Sequence, residues 1–222
     1  MSSPLNDGPL GLLGGTFDPI HCGHLRLAEE AVESLDLAAL RLIPAGSPPH
    51  RSQPQTAAEH RLAMVRLAAA GNPRLLVDDA EVRAAGPSYT VLTLERLRAE
   101  FGPQRPLVLL LGADAFLGLT TWHRWEELFG LAHIAVATRP SHVLETAYMT
   151  PTLAAVFNAR CRRDAAALAA APAGSILPFG ITPLDISATA IRAALGTGRS
   201  ARYLLPDSVL DYIDHHHLYS AP

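Results

Sequence analysis

The chain has 222 residues, 18% of them charged and 49% apolar, and a formal net charge of −3. This is the composition of a folded globular protein, and without a basic tail or charge run it argues against a nucleic-acid partner. MSSPLNDGP lacks the layout of a signal peptide, and Asp114 breaks the longest apolar stretch, so no membrane partner is expected. Cys22 and Cys161 make neither a disulfide framework nor a four-ligand zinc site, and a cytoplasmic protein is the expectation. In chain order, LGLLGG (10–15) reads as a short buried strand. Gly23 to Leu35 then reads as a helix with Leu25, Ala28, Val32 and Leu35 on one face. LRLIPA (40–45) is the next strand, closed by Pro44, and the proline-rich PAGSPPHRSQPQ (44–55) is a loop whose length points to function. Thr56 to Ala70 reads as a helix with Thr56 and Glu59 placed as a capping box, and RLLVDDAEV (74–82) is strand-like. Ser88 to Phe101 is a helix whose Val91, Leu94 and Leu97 repeat at helical spacing; PLVLLLG (106–112) has the continuous apolar run of a central parallel strand. HIAVATRP (133–140) is a strand stopped by Pro140, residues 151–171 are an alanine-rich helix, and GSILPFG (174–180) is a last short strand. Helices follow at 187–196 and 206–214, the second running into a solvated end at His215 to His217.

Strands alternating with helices predict an α/β, Rossmann-like, doubly wound parallel sheet with helices on both faces. No linker divides the chain, so one domain over 1–222 is expected, with a small C-terminal helical part at about 187–218. Ligands of such sheets sit at the carboxyl ends of strands.

All 18 basic residues are arginine, and the chain contains no lysine. A Walker A loop and Schiff-base chemistry both need lysine, so arginines, histidines and backbone amides must handle any phosphate. One place is suited to that. Gly14 and Gly15 let the backbone turn sharply after the first strand, and the following helix presents unpaired amides and the positive end of its dipole. His21 and His24, three residues apart, project from one side over that anion site. Two structural histidines behind an ordinary turn are the blander reading. Zinc on His21, Cys22 and His24 fits poorly, since neighbouring residues diverge and no fourth ligand is evident.

These residues carry a resemblance. GGTFDPIHCGH (14–24) is similar to the signature of the nucleotidyltransferase superfamily, and ISATAIR (186–192) resembles its second signature, I-S-x-T-x-I-R. Between and after them, PAGSPPHR, PSYTVLTLERL, LLGADAF, TTWHRWEEL, AHIAVATRP and LLPDSVLDYIDHHHLY resemble the bacterial nicotinate-nucleotide adenylyltransferases in order and spacing. The resemblance spans most of the chain except about 141–175.

The resemblance implies a reaction in NAD biosynthesis: ATP and nicotinate mononucleotide give deamido-NAD and pyrophosphate, with no covalent enzyme intermediate. It implies that Gly14, Gly15, Thr16 and Phe17 wrap ATP, and that His21 and His24 stabilise charge on its phosphates. Ile186, Ser187, Thr189 and Arg192 complete the ATP side, with His21, His24 and Arg192 as the catalytic set. On the acceptor side it implies Trp122 against the pyridine ring, amides near Thr90 and Trp122 for the ring carboxylate, and Asp114 for ribose hydroxyls. His50, Arg51 and Arg139 are the candidates for the acceptor's phosphate. Magnesium is expected on the ATP phosphates, with no protein carboxylate cage. A nicotinamide-mononucleotide or dual-specificity enzyme, a phosphopantetheine adenylyltransferase and a silent nucleotide-binding regulator are the alternatives. The sequence is compatible with a homo-oligomer.

Overall fold

The apolar runs become strands of one six-stranded sheet in the computed structural model, which describes residues 8–48, 54–138 and 144–220. They are β1 (Leu10–Gly15), β2 (Ala39–Pro44), β3 (Leu75–Val77), β4 (Leu107–Gly112), β5 (His133–Thr138) and β6 (Ile176–Gly180). The spatial order is β3-β2-β1-β4-β5-β6, and β1–β4, β4–β5 and β5–β6 pair in parallel, with Leu10 opposite Leu107 and Val108 opposite His133. The chain therefore winds outward in both directions from β1, as in a Rossmann-like doubly wound fold. The helices are α1 (Cys22–Ser34), α2 (Ala58–Ala69), α3 (Ala80–Arg83), α4 (Thr90–Phe101) and α5 (Ala113–Leu117), then α6 (Leu128–Leu131), α7 (Pro151–Arg160), α8 (Ala166–Ala169), α9 (Ala188–Gly196) and α10 (Asp207–His215). Among the described residues, no helix is long and apolar enough to cross a membrane.

The described residues fall into two compact units. The first draws on 8–13, 29–41 and 89–183, the second on 14–28, 42–88 and 184–220. In the first, Leu107 to Leu111 of β4 are all buried, as are Ile134, Ala135 and Val136 of β5, because a parallel strand is covered on both faces. The expected stripe of α4 is there too: Val91, Leu94 and Leu97 are buried, and Gly102, at φ 81°, ends the helix where the backbone must turn left-handed. The buried Glu30 carboxylate accepts from the Thr182 amide (2.7 Å) and hydroxyl (2.5 Å), fixing the segment that follows β6. In the second unit the core is built from Leu62, Met64 and Val65 of α2, Ile191 of α9, and Val209 and Ile213 of α10.

Three local expectations give way. Thr56 and Glu59 form no capping box: α2 starts at Ala58, and its flanking residue Ala57 makes no side-chain cap. Thr56 is instead buried, its carbonyl accepting from Arg61 (3.2 Å) and its side chain bonded to Tyr219. The 74–82 strand is cut to Leu75–Val77, because the Asp78 carboxylate accepts from the Ala80 amide (3.1 Å) and turns the chain into α3. The 151–171 helix breaks after Arg160. Cys161 bridges to Ile176 beside β6 and the Arg162 amide donates to the Ile176 carbonyl (2.8 Å), so tertiary pairing overrides alanine's helical preference.

Candidate active site

On the second unit the site begins where β1 runs out. Gly14 is exposed, and a Cβ there would meet nothing within 4 Å, whereas a Cβ on Gly15 would stand 2.9 Å from the Phe17 ring. Phe17 is buried with φ 49°, a left-handed conformation that strains a residue with a side chain, and its ring meets that of His24 edge-on at 5.0 Å. α1 follows, and its first turn brings the two histidines together as their spacing predicts: the rings stack with centroids 3.7 Å apart and planes 23° apart.

The two rings have different hydrogen-bond surroundings. The His21 amide donates to Nδ1 of His24 (3.3 Å), so a neutral His24 carries its proton on Nε2. His21 is buried, and burial pushes its imidazole down to about 4, so it is neutral at pH 7. Its Nδ1 is buried and has no hydrogen-bond partner among the described residues. Gly23 explains itself here. A Cβ at that position would lie 3.1 Å from Nδ1 of His21 and 3.6 Å from Cβ of Ile186, so the glycine lets the histidine ring and the ISATAIR segment pack against α1.

ISATAIR opens α9. The Ser187 hydroxyl accepts from the Ala190 amide (3.2 Å) as its cap, leaving its own O–H to donate elsewhere. Arg192 is half-buried. One arm donates to the Asp18 carbonyl (2.8 Å), another lies 3.4 Å from Oγ1 of Thr189, and Nε is buried without a partner. The guanidinium is thus anchored by one edge. Asp18 itself is buried, and its carboxylate accepts from the Gln55 amide (2.9 Å) and the Tyr219 hydroxyl (2.7 Å). Burial, reinforced by the bond to Asp18, pushes the Tyr219 phenol well above its ordinary range.

The first unit carries a second group of expected residues. Thr90 is the first residue of α4; the Leu92 and Thr93 amides donate to the flanking Tyr89 carbonyl (3.1 and 3.2 Å), so of the opening amides it is those of Thr90 and Val91 that have no carbonyl within the helix. Trp122 is half-buried after the turn Leu119–Thr121, and its own amide donates to the Leu119 carbonyl (3.0 Å), so that amide is not the donor for a ring carboxylate. The neighbours of these two residues join them: the Tyr89 and His123 rings lie 4.5 Å apart, bringing PSYT and TTWHRW together. Arg124, left-handed at φ 54°, holds TTWHRW to α4 through Glu95 (2.7 Å). Asp114 is exposed in the first turn of α5, directly after β4. His50, Arg51 and Arg139 lie outside the described residues.

Residues 12–194 match the family described as Cytidylyltransferase-like. The chain belongs to that family. Among its relatives, a probable nicotinate-nucleotide adenylyltransferase of Dechloromonas aromatica is 59% identical over 211 residues, covering 95% of this chain and 97% of the relative. Another of that name, from Pseudomonas syringae pv. tomato, is 53% identical over 96% of this chain and 94% of the relative. In fold, the chain matches the Plasmodium falciparum nicotinic acid mononucleotide adenylyltransferase complexed with NaAD at a TM-score of 0.72, with 16% identity, over 96% of this chain and 97% of that one.

Within this cytidylyltransferase-like chain, sequence reasoning overlooked Asp18, Tyr219, Tyr89 and His123. Asp18 had a local signal, an acidic residue before proline inside the motif itself, whereas Tyr219 had none. Tyr89 and His123 each stand next to a residue that was singled out. The exposed end of α10 is as expected, with the His216 ring against Tyr212 at 4.2 Å.

Proposed function

We propose that this chain transfers the adenylyl group of ATP to nicotinate mononucleotide, forming deamido-NAD and pyrophosphate, with residues 1–222 working as one nucleotidyltransferase domain. The observation that carries the reading is the stacked His21–His24 pair behind a glycine turn at a helix N-terminus, with its proton on His24 Nε2. The names of relatives that share more than half of the chain's residues support it.

An oxygen of the acceptor's phosphate attacks the α-phosphorus of ATP in line. An O–P bond forms as the bond to the bridging oxygen breaks, and that electron pair leaves with pyrophosphate. The protein makes no bond of its own; it positions the ligands and stabilises charge. Gly14, Gly15, Thr16 and Phe17 approach the nucleotide with backbone, and Ile186 packs beside Gly23. His24 Nε2–H donates to the phosphates, and His21, neutral, gives a second polar ring without an added charge; the Cys22 and His24 amides are taken by the Leu204 and His21 carbonyls, 2.9 Å each. Ser187, Thr189 and Arg192 take the β- and γ-phosphates, with Arg192 steadied by its bond to the Asp18 carbonyl. The nucleotide substrate is MgATP. Magnesium is carried on the substrate's phosphates.

On the acceptor, Trp122 stacks on the pyridine ring, the opening amides of α4 at Thr90 receive its carboxylate, and Asp114 takes ribose hydroxyls. His50, Arg51 and Arg139 take the phosphate. The enzyme works in the cytoplasm without nucleic-acid or membrane partners. Amide donors facing a carboxylate would leave the NH₂ of a carboxamide opposed to another donor. An unpaired buried group costs about 1–3 kcal/mol, and loss of a charge-assisted bond adds to it. The expected preference for nicotinate over nicotinamide mononucleotide is about 100-fold or more in kcat/KM, measured at saturating MgATP. Comparable values for the two acceptors would refute the donor arrangement and favour a dual-specificity enzyme.

A further inference from the structure

Arg61, on α2, is fully buried at 1% exposure, and an arginine there needs a reason. A charge taken out of water is strongly unfavourable unless partners replace the lost hydration, and a leucine would fill such a place without that penalty. Among the described residues, every hydrogen-bond partner of the guanidinium is a backbone carbonyl: Nη1 donates to Thr16 (2.6 Å), Nη2 to Gly46 (3.1 Å) and Nε to Thr56 (3.2 Å). These carbonyls belong to the turn after β1, the turn after β2 and the approach to α2. The first two turns are also tied directly, the Ala45 amide donating to the Gly15 carbonyl (2.9 Å). Asp18, the foremost of the charges that favour the guanidinium, has both carboxylate oxygens occupied by Gln55 and Tyr219.

The bond to Thr16 has a directional consequence. In a trans peptide the carbonyl and the next N–H point opposite ways, so drawing the Thr16 carbonyl inward aims the Phe17 N–H outward. Phe17 is then held left-handed, with its ring against His24. Gly46 allows no adjustment on the other side, since a Cβ there would fall 2.1 Å from the Glu81 carbonyl oxygen.

We infer that Arg61 is a positioning residue of the adenylyl transfer: its planar fork sets the Thr16–Phe17 peptide, and through Phe17 the His24 ring, in the orientation that MgATP requires. This rests on the activity proposed above. Lysine cannot replace the fork, because a single ammonium cannot hold three carbonyls in a plane.

The test compares Arg61→Lys and Arg61→Met with wild type at a temperature well below the thermal midpoint of each, so that every chain assayed is folded. A positioning role lowers kcat/KM for MgATP by about 10- to 100-fold in both variants, the scale for displacing a catalytic group by up to an ångström, with the loss mainly in kcat. A residue that only stabilises the fold would lower the midpoint and leave kcat and KM at wild-type values; that result overturns the inference. Should both variants fail to fold, the wild-type chain carries the test alone, through the ¹⁵N signals of the Arg61 side chain during titration with a non-hydrolysable MgATP analogue. A shift of Nε–H with slowed exchange supports the role, and unchanged signals at saturation overturn it. Absence of deamido-NAD in the wild-type assay would instead count against the proposed reaction. The analogue titration distinguishes the two failures, since it needs no turnover.

Discussion

Replacing Gly23 with alanine separates stability from catalysis at one carbon atom. The new Cβ would lie 3.1 Å from Nδ1 and 3.2 Å from Cε1 of His21, and 3.6 Å from Cβ of Ile186. The last is ordinary contact; the first two are tighter than carbon normally tolerates, so the imidazole must retreat by a few tenths of an ångström. The backbone itself raises no objection, because Gly23 is not among the glycines with a positive φ and sits within α1. There alanine is favoured over glycine by at most about 1 kcal/mol, which offsets the steric push. The expected thermal midpoint is therefore close to wild type. Catalysis has no such compensation. If an ångström of misplacement lowers a rate by about 100-fold, a few tenths should lower kcat by about 3- to 10-fold. The assay is pyrophosphate release at saturating MgATP and nicotinate mononucleotide, beside a melting curve. A folded Gly23→Ala protein with wild-type kcat would refute the claim that the place of the His21 ring matters to the reaction.

His24→Ala should lower kcat by about 100-fold or more while changing the affinity for a non-hydrolysable ATP analogue far less, since the Nε2 donor serves charge that develops in the transition state; steady-state kinetics beside calorimetry decides it. For His21 the folded imidazole is depressed to about 4 from an ordinary 6.5, so the unfolded chain binds the extra proton first as acid is added. Its contribution to stability is complete above pH 6.5 and is lost as pH falls from 6.5 to 4, by at most about 3 kcal/mol. His133 is depressed by burial as well, so the readout is the difference between wild type and His21→Gln in denaturant unfolding across that window; parallel curves would sink the idea. Tyr219→Phe leaves the buried Asp18 carboxylate one donor short and should destabilise the chain by about 1–3 kcal/mol, against no change in the denaturation midpoint if that bond is idle.

What could be read in the sequence was what rests on short-range pattern. The buried run of β4 and the stripe Val91, Leu94, Leu97 are periodicities, and periodicity is set by the geometry of the element itself. The meeting of His21 and His24 follows from i, i+3 spacing across the N-terminus of α1. Failures occurred where a distant partner outbid a local one. Thr56 has the sequence of a helix cap, yet Arg61 and Tyr219 claim it, and the second lies far along the chain. The alanine-rich segment after Pro151 has every local reason to continue as helix, and stops because β6 offers Cys161 and Arg162 a ladder to join. The contact of Tyr89 with His123 could not be read from either segment alone, since each looks like ordinary turn flank.

The bond from Tyr219 to Asp18 spans 201 residues and has a consequence in time. A chain emerging from the ribosome displays GGTFDPIHCGH before either the arginine of ISATAIR or Tyr219 has been made. Until they arrive, Asp18 lacks its phenol and Arg192 does not exist, so the nascent motif has the letters of a nucleotide site without its geometry. Translation that stops short of residue 219 should leave a product whose first loop is complete in sequence and unfinished in shape. The synthesis of Tyr219 therefore sets when the GGTFDPIHCGH motif becomes competent, and long-range closure of this kind is slow compared with forming any single helix.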